Sequence, residues 1–187
     1  MSAPLERDQL VDHLALALTP GVGPVRLRTL IDRFGSADAV RRAGVASLQS
    51  CRGVGERTAQ AIAGPQEAFD RKAREELEAI ERAGARLLVR GEEGYPSLLA
   101  GLPDAPSILT VRGALSPDAS ALGPEHGPIA IVGSRACTHY GVEQTGRFAR
   151  AFAGAGCSVI SGGARGIDGA AHRAALDAGG HTVAVLG

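Results

Sequence analysis

The residues best suited to chemistry lie in two short turns. Ile129-Ala130-Ile131-Val132 leads straight into Gly133-Ser134-Arg135, and Val159-Ile160-Ser161 leads into Gly162-Gly163-Ala164-Arg165-Gly166-Ile167-Asp168. Each time a run of strand character, the first of them read as a buried strand, gives way to glycine and then arginine, and a helical pattern follows. Glycine permits a sharp turn that bares backbone N–H groups, the helix start adds partial positive charge, and a guanidinium offers a fork of donors to a phosphate. The predicted chemistry is anion holding, by Gly133, Ser134 and Arg135 from one turn and by Ser161, Gly162, Gly163, Ala164, Arg165 and Gly166 from the other. Asp168 is expected to cap the second helix, with His172 one turn later on the same face, both supporting the loop. No serine or cysteine nucleophile pairs with His172, so no catalytic residue is predicted. The first turn is not GxGxxG, and no Walker lysine follows either. His139-Tyr140 opens the first helix, where a base could stack on Tyr140 or the ring could simply pack.

A second pair of turns lies near the N-terminus. Pro20-Gly21-Val22-Gly23-Pro24 and Arg52-Gly53-Val54-Gly55-Glu56 share glycine, apolar residue, glycine and then a helix start. The valine is expected to plug into the module while the glycines bring bare N–H groups to a phosphate. This resembles a tandem helix-hairpin-helix. Two roles stay open: a second DNA contact, to duplex, through Gly21, Gly23, Gly53 and Gly55, or a packing and partner-contact unit, for which Glu56 argues by repelling phosphate.

The elements that must position these turns fall into two textures. Residues 8–63 are helical, with Leu10, Leu14, Ala17 and Leu18 and then Leu27, Leu30, Ile31 and Phe34 at helical spacing. Gly35 should close one helix, Ser36 cap the next, and Gly64-Pro65 stop the last. A charged helix over 66–83 follows, ended by Gly84. Strands are expected at 86–90, 107–112, 129–132, 158–160 and 182–186, with helices at 140–155 and 168–178, a short helix at 97–102, and loops over the rest of 91–106 and 113–128. Strand–helix alternation from 129 onward predicts a parallel, doubly wound sheet, with both anion turns at its carboxyl edge. The expected domains are an all-helical module over 1–64, a connecting helix over 65–84 and a parallel-sheet domain over 85–187.

Net charge is zero, yet its distribution is uneven: residues 1–64 hold eight basic against six acidic side chains, 65–128 seven against eleven, and 129–187 five against three. Local potential governs binding more than the total, so charge neither demands nor excludes nucleic acid. The three cysteines, Cys51, Cys137 and Cys157, are far apart and form no CxxC pair, which predicts free thiols in a cytoplasmic protein, no metal site and no cofactor. No apolar run reaches the roughly 18 residues of a membrane span, and no secretory signal opens the chain. With no Trp, two Tyr and four Phe, most of the Phe at core spacing, binding is expected to be phosphate-led and nearly indifferent to base sequence.

Val-Gly-Ser-Arg at 132–135, followed by Ser-Gly-Gly-Ala-Arg-Gly-Ile-Asp-Gly-Ala-Ala-His at 161–172, closely resembles the signature of the DprA/Smf family. Gly94-Tyr95-Pro96-Ser97-Leu98-Leu99, Asp104-Ala105-Pro106-Ser107-Ile108-Leu109 and Arg112-Gly113 are similar to that family's lead-in. The resemblance implies an α/β fold: a SAM-like, helix-hairpin-helix N-terminal domain, then an extended Rossmann-like domain. It also implies a non-enzymatic single-stranded-DNA binder that protects the strand, dimerises and loads a RecA-type recombinase in natural transformation, with single-strand-binding protein as a further partner. The family's Tyr-Pro, Arg-Asn-Arg and Ser-Gly segments and a C-terminal winged helix are absent, so the Rossmann-like domain is expected to be incomplete on its C-terminal side. Gly163 replaces a larger apolar residue of the family, which implies a looser turn. Two other readings stay open: a phosphoribohydrolase-like nucleotide-binding enzyme, although its Pro-Gly-Gly-x-Gly-Thr-x-x-Glu segment is missing, and a protein-contact scaffold.

Overall fold

The computed structural model describes residues 5–113 and 127–187. The expected loop over 113–128 therefore lies almost wholly outside the described residues. The chain divides into two compact units, Met1–Pro117 and Asp118–Gly187.

The first unit begins with five helices: α1 (Arg7–Leu18), α2 (Pro24–Phe34), α3 (Ala37–Arg41), α4 (Val45–Gln49) and α5 (Glu56–Ala63). The predicted punctuation operates. Gly35 takes φ 87° behind α2, the Ser36 hydroxyl accepts from Ala39 N–H at 3.1 Å, and Gly64 ends α5. Leu16, Leu27, Leu30, Val40, Leu48 and Ile62 fill one core, and Val22 and Val54, the residues between the paired glycines, are buried in it.

α6 (Glu67–Arg82) follows and lies against α1, where Val11, Leu14 and Ala15 meet Ala73 and Leu77. Arg41 joins these layers by ion-pairing with Asp12 of α1 and Asp70 of α6. The next strands, β1 (Ala85–Val89) and β2 (Ile108–Arg112), pair antiparallel with Leu88 opposite Leu109. The short α7 (Ser97–Ala100) lies between them. Tyr95 is buried and donates its hydroxyl to the Pro106 carbonyl at 2.6 Å. Burial pushes the Tyr95 hydroxyl above its usual value, with Arg90 acting in the opposite direction.

Leu87 and Ile108 pack on the α1–α6 core, and among the described residues β1 and β2 form a sheet of their own.

The second unit is β3 (Pro128–Ala130), α8 (His139–Gly154), β4 (Ser158–Gly162), α9 (Ile167–Asp177) and β5 (Thr182–Val185), with parallel strands in the order β3-β4-β5. Thr138 caps α8 by accepting from Gly141 N–H at 3.1 Å. Ala149 and Ala153 of α8 meet Ala171, Ala174 and Ala175 of α9 over Val159 and Ile131. Both helices thus cover one face. The strand order does not reverse among the described residues, so this part of the sheet is singly wound rather than doubly wound. The opposite face carries Ile160, Val183 and Val185, and Val132 beyond β3 is 75% exposed, so the run at 129–132 is half-buried rather than a buried strand.

Candidate functional site

The carboxyl ends of β3 and β4 are neighbours, because Ala130 is in register with Ile160 and Ile131 N–H donates to the Ile160 carbonyl at 2.9 Å. Both predicted turns leave the sheet there. Ile167 N–H, at the start of α9, donates to the Ser134 carbonyl at 3.2 Å. Gly166 has φ 84°, and a side chain there would run into the Ser134 and Arg135 carbonyls. A side chain at Gly133 would meet Ile167 at 2.7 to 2.9 Å. The two turns are therefore one structure, and glycine stands where it does because the backbones touch.

The predicted residues separate into those facing solvent and those holding the turns. Gly133, Ser134, Arg135, Gly163 and Arg165 are exposed, and Gly162, Ala164 and Gly166 are partly so. Among the described residues, the backbone N–H groups of Gly133, Ser134, Arg135, Ala164 and Arg165 find no protein acceptor. The Ser134 hydroxyl accepts from Ala136 N–H at 3.1 Å, which shapes its own turn. Ser161 is only 3% exposed and donates its hydroxyl to the Ile131 carbonyl at 2.5 Å, so it ties β4 to the end of β3 rather than facing the edge.

Asp168 does not occupy the capping position expected of it. Gly166 is the N-cap of α9, with no side-chain cap bond, and Asp168 lies in the first turn. The tight approach to Ser134 requires glycine at the cap. The Asp168 carboxylate is buried against the end of β4, where a side chain on Gly162 would meet it at 2.7 Å. His172 links three strand positions: its Nε2 faces the Gly162 carbonyl at 2.8 Å and its Nδ1 faces the Thr182 hydroxyl at 2.7 Å, which in turn donates to the Val159 carbonyl. His172 is thus engaged behind the glycine turn.

The electrostatics of the two units differ. All eight ion pairs among the described residues lie in the first unit. Arg135 and Arg165 have no carboxylate partner among the described residues, and their exposed guanidinium groups flank unpartnered N–H groups. This edge can hold anionic oxygens. No group of three or more His, Cys, Asp or Glu suited to a metal ion occurs among the described residues.

The aromatic side chains depart in part from expectation. Phe34 and Phe69 pack on cores, but Phe148 of α8 is exposed and stacks on Phe152 at 6.3 Å. The observed contact face of α8 is built from Thr145, Gly146, Ala149 and Ala153, and Phe148 lies away from it.

In the first unit, Gly21 and Gly53 take φ 84° and 82°, and a side chain at Gly21 would strike Thr58 of α5. Arg26 binds both turns, donating to the Gly21 and Gly53 carbonyls at 2.7 Å each. Gly23 and Gly55 are the N-caps of α2 and α5. Spacing singled out the glycines, but Arg26, which joins the hairpins, carries no signal along the chain.

Residues 86–187 match the family model for DNA recombination-mediator protein A, and residues 14–63 that of a SAM-like helix-hairpin-helix tandem. A Mycobacterium tuberculosis protein assigned as DNA processing protein DprA is 39% identical over 177 residues, 91% of this chain and 40% of its own length. Protein Smf of a Synechocystis species is 32% identical over 174 residues, 93% of this chain and 43% of its own. The chain thus spans about two fifths of the length of these curated relatives. An X-ray structure of DNA processing protein A from Streptococcus pneumoniae superposes with a TM-score of 0.60 at 20% identity, over 98% of this chain and 58% of that one. At that identity the superposition supports the fold.

Proposed function

Because this chain belongs to the DNA recombination-mediator protein A (DprA/Smf) family, we propose that it binds single-stranded DNA without base-sequence preference and delivers it to a RecA-type recombinase. The observation that carries the reading is the joined pair of turns at the ends of β3 and β4, with N–H groups and the Arg135 and Arg165 side chains that have no partner among the described residues. Two neighbouring anion cradles suit successive phosphates of one strand, and a phosphate-led contact has no means of reading bases.

Gly133, Ser134, Arg135, Gly162, Gly163, Ala164, Arg165 and Gly166 form the contact in this reading. Ser161, Asp168 and His172 hold it in shape. The role is strand protection and handover in recombination and natural transformation, without catalysis, in the cytoplasm and as a homodimer. Single-strand-binding protein is a further partner. The hairpins at Gly21, Gly23, Gly53 and Gly55 are a second contact, to duplex. Among the described residues no helix is long and apolar enough to cross a membrane.

The test is fluorescence anisotropy of a labelled oligothymidine across a salt series, with matched duplex as competitor. Single-strand preference and a steep fall with salt are expected. Arg135→Ala and Arg165→Ala should each weaken binding and reduce the salt slope by about one counterion. Slopes unchanged in both variants would remove the edge from the binding site.

A further inference from the structure

The six aromatic residues of this chain are unevenly placed. Phe34 and Phe69 pack on the cores of the first unit, and Tyr95 is buried there. The other three lie on α8, and two of them are strongly exposed: Tyr140 at 70% and Phe148 at 58%. At 100° per residue, Tyr140, Glu143, Gln144, Arg147, Phe148 and Ala151 share the half of α8 opposite its buried residues Thr145, Gly146, Ala149 and Ala153. Phe152 flanks this half, its ring inclined 20° to that of Phe148, and supports it from the side.

Arg147 precedes Phe148 and stands almost level with it along the helix, and it has no carboxylate partner among the described residues. The Arg150 guanidinium lies over Gly146 and is likewise unpaired. Glu143 is the one carboxylate of the helix. Tyr140 stands in the first turn of α8, just beyond Arg135. An outer helix surface is usually polar, and paired exposed rings there point to an occupant. Two exposed rings with an arginine beside the second suit a chain that carries flat bases on a phosphate backbone. The bases must be unpaired to reach the rings, which selects a single strand over a duplex.

We propose that the outer half of α8 is a base-stacking track that carries a single strand onward from the phosphate-holding turns, one base on Tyr140 and another on Phe148, about 12 Å further along the helix. The track rests on the phosphate-holding reading of the turns and adds the base contact that the turns lack.

The 187-residue chain is titrated with a dodecathymidine, following both anisotropy and tyrosine emission. With no Trp present, that emission comes from Tyr95 and Tyr140 alone. The strand should quench it, and Tyr140→Leu should remove the quench. Phe148→Ala should weaken binding about tenfold, Phe148→Leu should fail to restore it, and Phe148→Trp should succeed, with circular dichroism unchanged throughout. Full affinity in Phe148→Leu would reduce the face to apolar packing and overturn the track. So would normal affinity in both Phe148→Ala and Tyr140→Leu, with or without an altered sedimentation coefficient marking an interface between copies. Loss in Arg135→Ala with no loss in Phe148→Ala would leave the turns standing and remove the track. The converse pattern would remove the turns and keep it. No binding by the unsubstituted chain at low salt would overturn both.

Discussion

Gly166 and Gly163 are neighbours in one turn and carry very different constraints. Gly166 has positive φ and faces the Ser134 carbonyl, whereas a side chain at Gly163 would meet only the end of the Leu186 side chain. Gly166→Ala should destabilise the protein by about 1–3 kcal/mol and reduce strand affinity by separating the two turns. Gly163→Ala should be mild on both counts. Urea unfolding with anisotropy on the same samples distinguishes them. Tyr95 permits a pH prediction. Its hydroxyl is held above the usual value, so the neutral form is favoured in the fold. That stability is present below the unfolded value of about 10 and is lost as pH rises through the folded value. Tyr95→Phe should therefore have a flatter stability profile above roughly pH 10, measurable by denaturation at fixed pH steps.

At the scale of elements, single arginines join helices that the chain separates widely. The Arg41 side chain is 11% exposed between Asp12 and Asp70, and Gln66 donates to its carbonyl at 2.8 Å. Removing it leaves two carboxylates facing each other. Arg41→Ala should cost about 2–4 kcal/mol in urea unfolding, and adding Asp12→Asn should restore part of that loss. Arg26 acts similarly between the hairpins, but across exposed carbonyls, where a hydrogen bond contributes less. β1 and β2 show how an element finds its place: their pattern establishes strands, while the covering helices decide which sheet they join.

At the scale of the molecule, the two units allow separable contacts. The hairpins can be tested without breaking their turns, because Gly23 and Gly55 have negative φ and open space where a side chain would stand, unlike Gly21 with its Thr58 contact. Gly23→Glu combined with Gly55→Glu should fold normally, lose duplex affinity and keep single-strand affinity in paired anisotropy titrations. Retained duplex affinity would mark the module as a packing and partner-contact unit. Strand preference should meanwhile follow Arg135 and Arg165 in the second unit, where the described arginines are free of carboxylates.

Much of this protein is legible along its chain. Helix ends at Gly35, Ser36 and Gly64, the plugging valines and the strand–glycine–arginine–helix turns follow from local backbone preference and hydrophobic period, which depend on residues close in sequence. Only the tertiary structure decided which functions those residues perform. Ser161, on the same face as Val159, found the Ile131 carbonyl as its acceptor, and Gly166 displaced Asp168 from the cap because another backbone came too close. Such outcomes depend on what lies opposite in space. Periodicity marks a position on a helix or strand, but packing alone determines which neighbour it meets.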